Sequence, residues 1–384
     1  MKRFVVFLVA SATLFAPLAR AQDGPYKVLK TARVGGEGGW DYIYADSAAR
    51  RLYIPRGAVR ATPATETSPE IAALPSRLTV FDLDTLAPAG DLSGVGGQGT
   101  AVDPKSGHGF TSDHPQVSMF DTKMLTKLKS IDVGEARADG ILFDASSELV
   151  FVFGHPTKNA TVIDARDGTV KGTIDLGGTP EQGVADGKGM LYVVMQDAVG
   201  SVTVVDLKSM KAVAHYSLVD MGGCNGLALD AKNGVLFAAC GRPSPAPGAT
   251  ASAGQPGGQS PAAASQAAMV VLSAKDGKIL AKLPLAGSSD GAAFNSATME
   301  AFSTGGNGTL TVVKEKTPAT FEVEQVLNTM NGARTITLDT KTGHLFTMSQ
   351  ERTPVPAEAA APANGRPRMG PPVPGSFTIL MIGK

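Results

Sequence analysis

Charged residues are scarce. Asp, Glu, Lys and Arg make up 18% of the 384 residues, with 35 basic against 35 acidic. No basic cluster stands out, and without one a protein has little hold on a phosphate backbone, so no nucleic-acid partner is expected. Aromatic residues are thin at 6%, and the single tryptophan, Trp40, leaves no ring stack for a quinone cofactor. The only cysteines are Cys224 and Cys240, and no CxxCH is present for attaching a c-type haem. A glycine-rich phosphate loop with its Lys and Ser/Thr is missing. No cofactor is expected. One apolar run has any length, Phe4 to Phe15, and it is too short to cross a bilayer. No membrane insertion is expected.

That run sits in an N-terminal pattern of its own. Lys2 and Arg3 precede it and the small-residue site Ala19-Arg20-Ala21 follows. This is the layout of a signal peptide over residues 1–21, with a mature chain of 22–384 in the periplasm or outside the cell. No cysteine follows the cleavage site, so no lipid anchor is expected. Three of the 35 basic residues lie in this leader, leaving the remainder slightly acidic.

Glycine and proline, by contrast, are plentiful at 45 and 25 residues. They punctuate a repeat whose clearest copy is GGCNGLALDAKNGVLFAACG, Gly222 to Gly241. A polar residue opens a strand, a turn follows, and the return strand carries an aromatic. The pairs are Asp41 and Tyr53, Gln98 and Phe110, Asp139 and Phe151, Gln182 and Tyr192, Asn225 and Phe237, Asp290 and Phe302, Arg334 and Phe346. Six are 12 residues apart and one is 10 apart. A loss of two residues keeps every strand side chain on its own face. A second strand pair follows each hairpin, beginning with apolar runs such as LTVFD (Leu78–Asp82) and VTVVD (Val202–Asp206).

Four-stranded units at a spacing of roughly 40–45 residues specify a β-propeller. Seven repeats give an all-β, seven-bladed propeller, and a ring of blades is one domain. The seventh unit lacks its fourth strand because the chain stops at Lys384, while a spare strand, Tyr26–Val34, precedes the first repeat. The expectation is that this N-terminal strand completes the last blade and covers its edge. Gly99, Gly140, Gly183, Gly226 and Gly291 follow five of the openers, as crowding near a propeller axis requires. Tyr42 and Thr335 are the departures.

Three Pro/Ala-rich insertions, 58–76, 242–267 and 352–375, fall between second and third strands of blades one, five and seven. They belong on the rim where the innermost strands begin. The openers belong there too. Asp41, Gln98, Asp139, Gln182, Asn225, Asp290 and Arg334 are therefore the candidate ligand-binding residues, converging on one mouth of the central channel. Aspartates at turn starts (Asp46, Asp103, Asp144, Asp230, Asp339, and Asp82, Asp121, Asp164, Asp206) read as backbone-capping groups instead.

The histidines and cysteines complete the inventory. His114 and His155 follow second strands of adjacent blades on the openers' rim, and Asp113 and Asp139 could join them around zinc or copper. Loop histidines without tight spacing are usually solvated, and no metal is expected. His108 and His344 share an exposed turn position at the other end, and His215 falls in an outer strand. With Asp230 to Gly234 as the turn, Leu229 faces Val235 and Cys224 faces Cys240. A cross-strand disulfide is expected. It closes a loop the hairpin already holds, so it contributes well under the roughly 3 kcal/mol of a free loop.

The strand–turn units VTVVDLKSMKAVAHYSL, LALDAKNGVLFAA and ITLDTKTGHLFTMS resemble the YncE-like group of exported seven-bladed propellers with YVTN-type repeats. The resemblance covers nearly the whole mature chain; the long insertions depart from it. It implies a binding protein or one of unassigned role, and some related propellers hydrolyse lactones. It supplies no catalytic residue set. The Trp40-Asp41 pair is not a WD-repeat signature, because it opens a strand. The resulting expectation is a monomeric binding or scaffold protein for a small polar ligand, with an anionic one suggested by Arg334, or for a protein partner. The alternative is a lactonase-type hydrolase with Asp41, Asp139 or Asp290 as base.

Overall fold

The computed structural model describes residues 23–64, 70–113, 115–134, 137–243, 267–288, 290–354 and 370–384. The expected signal peptide, His114 and most of the 242–267 and 352–375 insertions lie outside them. The chain forms seven four-stranded antiparallel sheets. Six are built from consecutive strands. The seventh takes its outermost strand from the N-terminus, in the spatial order Lys27–Arg33, Thr378–Gly383, Leu345–Ser349, Thr337–Leu338. This is the seven-bladed propeller that the repeats specify, closed by the strand expected to close it.

Alternation explains the ring. In blade three the second strand reads LVFVFG, Leu149 to Gly154, and its side chains are buried on both faces. Val150 and Val152 pack against blade two, while Phe151 and Phe153 pack against blade four. Strand side chains point to opposite faces in turn, so one strand serves two interfaces. Seven buried apolar clusters result, one per blade junction, including the junction of blades seven and one. Six of the seven repeat aromatics are fully buried, and Tyr192 is 5% exposed.

The innermost strands approach one another closely. A Cβ built on Gly226 would stand 2.7 Å from the carbonyl carbon of Gly291 in the next blade. Backbone cannot give way as a side-chain tip can, so the repeat needs glycine here. Tyr42, where this pattern has its first exception, reaches across the axis. Its hydroxyl donates to Glu181 Oε2 of blade four at 2.7 Å.

Blade four departs from the expected spacing. Each opener stands three residues before the residue that faces its repeat aromatic, as Asp139 does before Leu142, which faces Phe151. In blade four Val184 faces Tyr192, so Glu181 is the equivalent residue, not Gln182. The missing residue comes out of the hairpin turn, where face parity is not at stake. The strands themselves are undisturbed.

Long connections separate second and third strands at Arg51–Arg56 and Arg77–Asp82, Val235–Pro243 and Ala268–Ser273, and Leu345–Ser349 and Thr378–Gly383. The described flanks of the first are paired by bridges at Val59–Leu74 and Thr62–Ile71, and those of the last by Arg352–Pro372. No helix among the described residues is long and apolar enough to cross a membrane. The turn aspartates cap backbone amides. Asp46 Oδ1, for example, accepts from Ala48 and Ala49 N–H at 3.0 and 2.9 Å.

Candidate functional site

Sequence dictates the site through a local defect in the sheets. In blades three, four and five the innermost strand slips register just where the opener stands: between Ala138 and Ile141, Pro180 and Gly183, and Cys224 and Gly226. A bulge re-aims a side chain that the ladder would otherwise hold. Cys224 and Cys240 face each other and form a disulfide with Cα atoms 3.8 Å apart, beside the bulge at Asn225. The turn here is one residue tighter than expected, so Leu229 faces Leu236 rather than Val235. The bulge restores the cysteine pairing. The disulfide is consistent with an oxidising compartment.

Six of the seven openers line one cavity of about 690 Å³: Asp41, Gln98, Asp139, Asn225, Asp290 and Arg334. Glu181, His155, Gln196 and Arg137 complete its charged and amide lining. Gln182 does not reach it. Its carboxamide lies in a smaller inner cavity of about 220 Å³. There Oε1 accepts from Leu227 and Ala292 N–H at 3.0 and 2.9 Å, and Nε2 donates to the Ala292 carbonyl at 3.0 Å. All its polar atoms are satisfied by the backbones of blades five and six, so it acts as a strut rather than as a ligand group.

Two sub-clusters divide the mouth. On one side Asn225 Nδ2 donates to Asp290 Oδ1 at 2.8 Å, and Arg334 pairs with Asp290 Oδ2 at 2.9 Å. Arg334 thus balances a carboxylate, which weakens the expectation of an anionic ligand. On the other side His155 Nε2 lies 2.7 Å from Asp139 Oδ2 and 3.3 Å from Glu181 Oε1. Glu181 is held in turn by Gln196 Nε2, which donates to Oε1 at 2.5 Å, and by Tyr42. Sequence reasoning found His155 and Asp139 but paired them with Asp113 and His114. Asp113 is instead held by Ser76 and Ser118, and His114 lies outside the described residues. His108 and His344 are part-buried rather than exposed, and His108 Nδ1 lies 3.0 Å from the Ala165 carbonyl oxygen. His215 is in an outer strand, as expected.

The electrostatics follow from crowding four carboxyls into a small volume. Burial pushes the Asp41 carboxyl up to about 8, and Asp139, Asp290 and Glu181 add to the rise against an opposing pull from Arg334. Glu181 is also raised, chiefly by burial. Burial works against a charged His155, yet its contacts with Asp139 and Glu181 outweigh it and lift the ring to about 10.

Asp41 thus favours its neutral form in the fold. Because its folded pKa exceeds the unfolded value, the stability it contributes is present below pH 4 and fades as pH rises through 8. Asp41→Asn is therefore expected to match the parent near pH 4 and to exceed it by roughly 2 kcal/mol at pH 9, a figure discounted for partial exposure. Urea unfolding of both proteins across that range, in chelator-treated buffer, checks this. A constant difference between them would contradict it.

The roots of all three insertions border this mouth. Gly241 lines the cavity itself. Ala58 and Ser76 flank an adjoining cleft shared with Gln98 and Arg137. Glu351 and Arg352 line a third cavity that shares Arg334 and Gly306 with the mouth and also contains Trp40. Buried Arg56 fixes the segment leading to Asp41. Its guanidinium donates to the Gly38 and Gly36 carbonyls and stacks 3.6 Å from the Phe377 ring centroid, beside Trp40.

Fold and mouth together define a seven-bladed propeller with a polar, carboxylate-rich channel entrance. No family model matches the chain, and no curated protein matches it. Among solved structures, the chain is similar to a chain of Kuenenia stuttgartiensis hydrazine synthase, with 16% identity and a TM-score of 0.63, covering 80% of this chain and 91% of that one. A chain from the crystal structure of a mitotic checkpoint complex is similar at 10% identity and a TM-score of 0.62, covering 90% of this chain and 95% of that one. At these identities the likeness is one of fold.

Proposed function

We propose that the protein is an exported propeller of the YncE-like kind that binds a small polar molecule at the channel mouth. One observation carries the reading. A cavity of about 690 Å³ is lined by polar side chains that all seven blades deliver to one point, and that volume suits a small-molecule site. The disulfide supports an oxidising location. The insertion roots around the rim would govern access.

The single tryptophan supplies the test. Trp40 precedes Asp41 and packs on Phe377 with ring centroids 4.7 Å apart. Its emission is expected to change saturably with one class among amino acids, amines, sugars and carboxylic acids. Asn225→Ala and Arg334→Ala are expected to weaken that response about tenfold, the worth of one or two polar contacts. If every class gives no saturable response, or the two substitutions leave it unchanged, the reading fails.

One observation favours a second reading, hydrolysis of a lactone. A carboxyl near pH 8 in a polar cavity, as at Asp41, is tuned for general base work. Lactone cleavage would then rise with pH through about 8 and be lost in Asp41→Asn. Lactone turnover that persists in that variant would exclude Asp41 as the base.

A further inference from the structure

We infer that Asp139, His155 and Glu181 form a binding site for one divalent transition-metal ion, of the zinc or manganese type, at the floor of the mouth. The inference refines the binding-site reading above and names an ion as an occupant of that cavity. It departs from the sequence expectation of no metal.

The donor set carries it. One donor atom from each residue, two carboxylate oxygens and an imidazole nitrogen, falls within 4.8 Å of the other two. His155 Nε2 is 2.7 Å from Asp139 Oδ2 and 3.3 Å from Glu181 Oε1. Around an ion with bonds of about 2.1 Å, octahedral neighbours stand about 3.0 Å apart, and these two separations bracket that spacing. An imidazole beside two carboxylates suits zinc, manganese or iron(II), whereas calcium takes oxygen donors at longer range.

The second observation is that two of the three side chains carry a polar atom without a hydrogen-bond partner. Asp139 is 7% exposed, yet its Oδ1 has no hydrogen-bond partner among the described residues. His155 Nε2 is assigned no hydrogen bond either, although it stands 2.7 Å from Asp139 Oδ2. A simple buried ion pair would align that bond. The surroundings are built as metal sites are built. Tyr42 and Gln196 hold the two oxygens of Glu181 from outside, and Ser112 Oγ donates to the Asp139 carbonyl at 2.8 Å. Such outer partners orient ligands and tune affinity. The remaining coordination positions would face the open cavity, as at sites that exchange water for a substrate.

Calorimetric titration of chelator-stripped full chain with zinc chloride, and separately with manganese chloride, tests the inference. The expected result is one ion per chain for at least one metal. His155→Ala and Glu181→Gln should each weaken it at least 100-fold. Tyr42→Phe, which leaves all three donors in place, should weaken it about tenfold. Circular dichroism of each variant establishes that it is folded. For manganese, the paramagnetic resonance of the bound ion should change in Tyr42→Phe. The inference is overturned if neither metal binds more tightly than millimolar, or if stoichiometric binding survives both His155→Ala and Glu181→Gln. Trp40 emission against polar solutes in chelator reports separately on the mouth. Loss of metal binding with that response intact sinks the ion alone, and the converse sinks only the solute.

Discussion

A chain begun at Gly35 is expected to lose its cooperative unfolding transition. The N-terminal strand pairs with Thr378–Gly383 from Lys27–Gly383 to Arg33–Thr378, and that partner strand is buried throughout. Without it, the last blade presents an apolar edge to water. The residue ahead of the strand matters as much. Tyr26 is 3% exposed, stacks edge-on against Phe302 at 5.3 Å and donates to Glu300 Oε2; its backbone N–H donates to Gln325 Oε1 of blade six and its carbonyl accepts from Gln325 Nε2. Val28 packs into the junction of blades six and seven, and Ala32 and Val34 into that of seven and one. One segment therefore seals two of the seven junctions. Losing a buried Tyr, its hydrogen bonds and a strand ladder costs about 5 kcal/mol or more, comparable with the whole stability of an ordinary domain. Thermal melts of the truncated chain, with and without an added peptide of residues 23–34, measure it. Rescue by the peptide is expected. A truncated chain within about 1 kcal/mol of the parent would contradict the closure.

Gln182→Leu is expected to destabilise the protein by about 3 kcal/mol and to leave binding at the mouth nearly unchanged. The carboxamide serves three backbone groups on two neighbouring blades. Leucine fills similar space but strands two N–H donors and a carbonyl near the axis, each costing about 1 kcal/mol or more. Chemical denaturation together with Trp40 emission reads both effects. Unchanged stability with lost binding would return Gln182 to the ligand site and remove Glu181 from it.

Much of this could be read from the residues. Alternation and turn residues recur in every blade, so the blade count and the borrowed strand followed from pattern alone. The facing cysteines also came out, though through two compensating features: a tighter turn and a bulge at Asn225. Glu181 was missed because the repeat was anchored on the aromatic, across a turn of variable length. Anchoring on the turn acid would have found it. Asp41 precedes Asp46 by five residues, Asp139 precedes Asp144 by five, and Glu181 precedes Asp186 by five. The grouping of His155 with Asp139 and Glu181 could not be read in this way. It depends on a loop histidine of one blade turning toward the next, and on Tyr42 crossing the axis from blade one. Those are relations between blades, which no repeat register encodes.

The central claim is that the polar openers converge on an occupied site rather than on a water-filled hole. A crystal structure of protein purified from its own host, without chelator, tests it directly. The account predicts density other than water in the mouth, in contact with at least two of Asp41, Asp139, Glu181, Asn225, Asp290 and Arg334. Ordered water alone in that cavity, with a ligand seated instead in the groove beside Arg352, would contradict it.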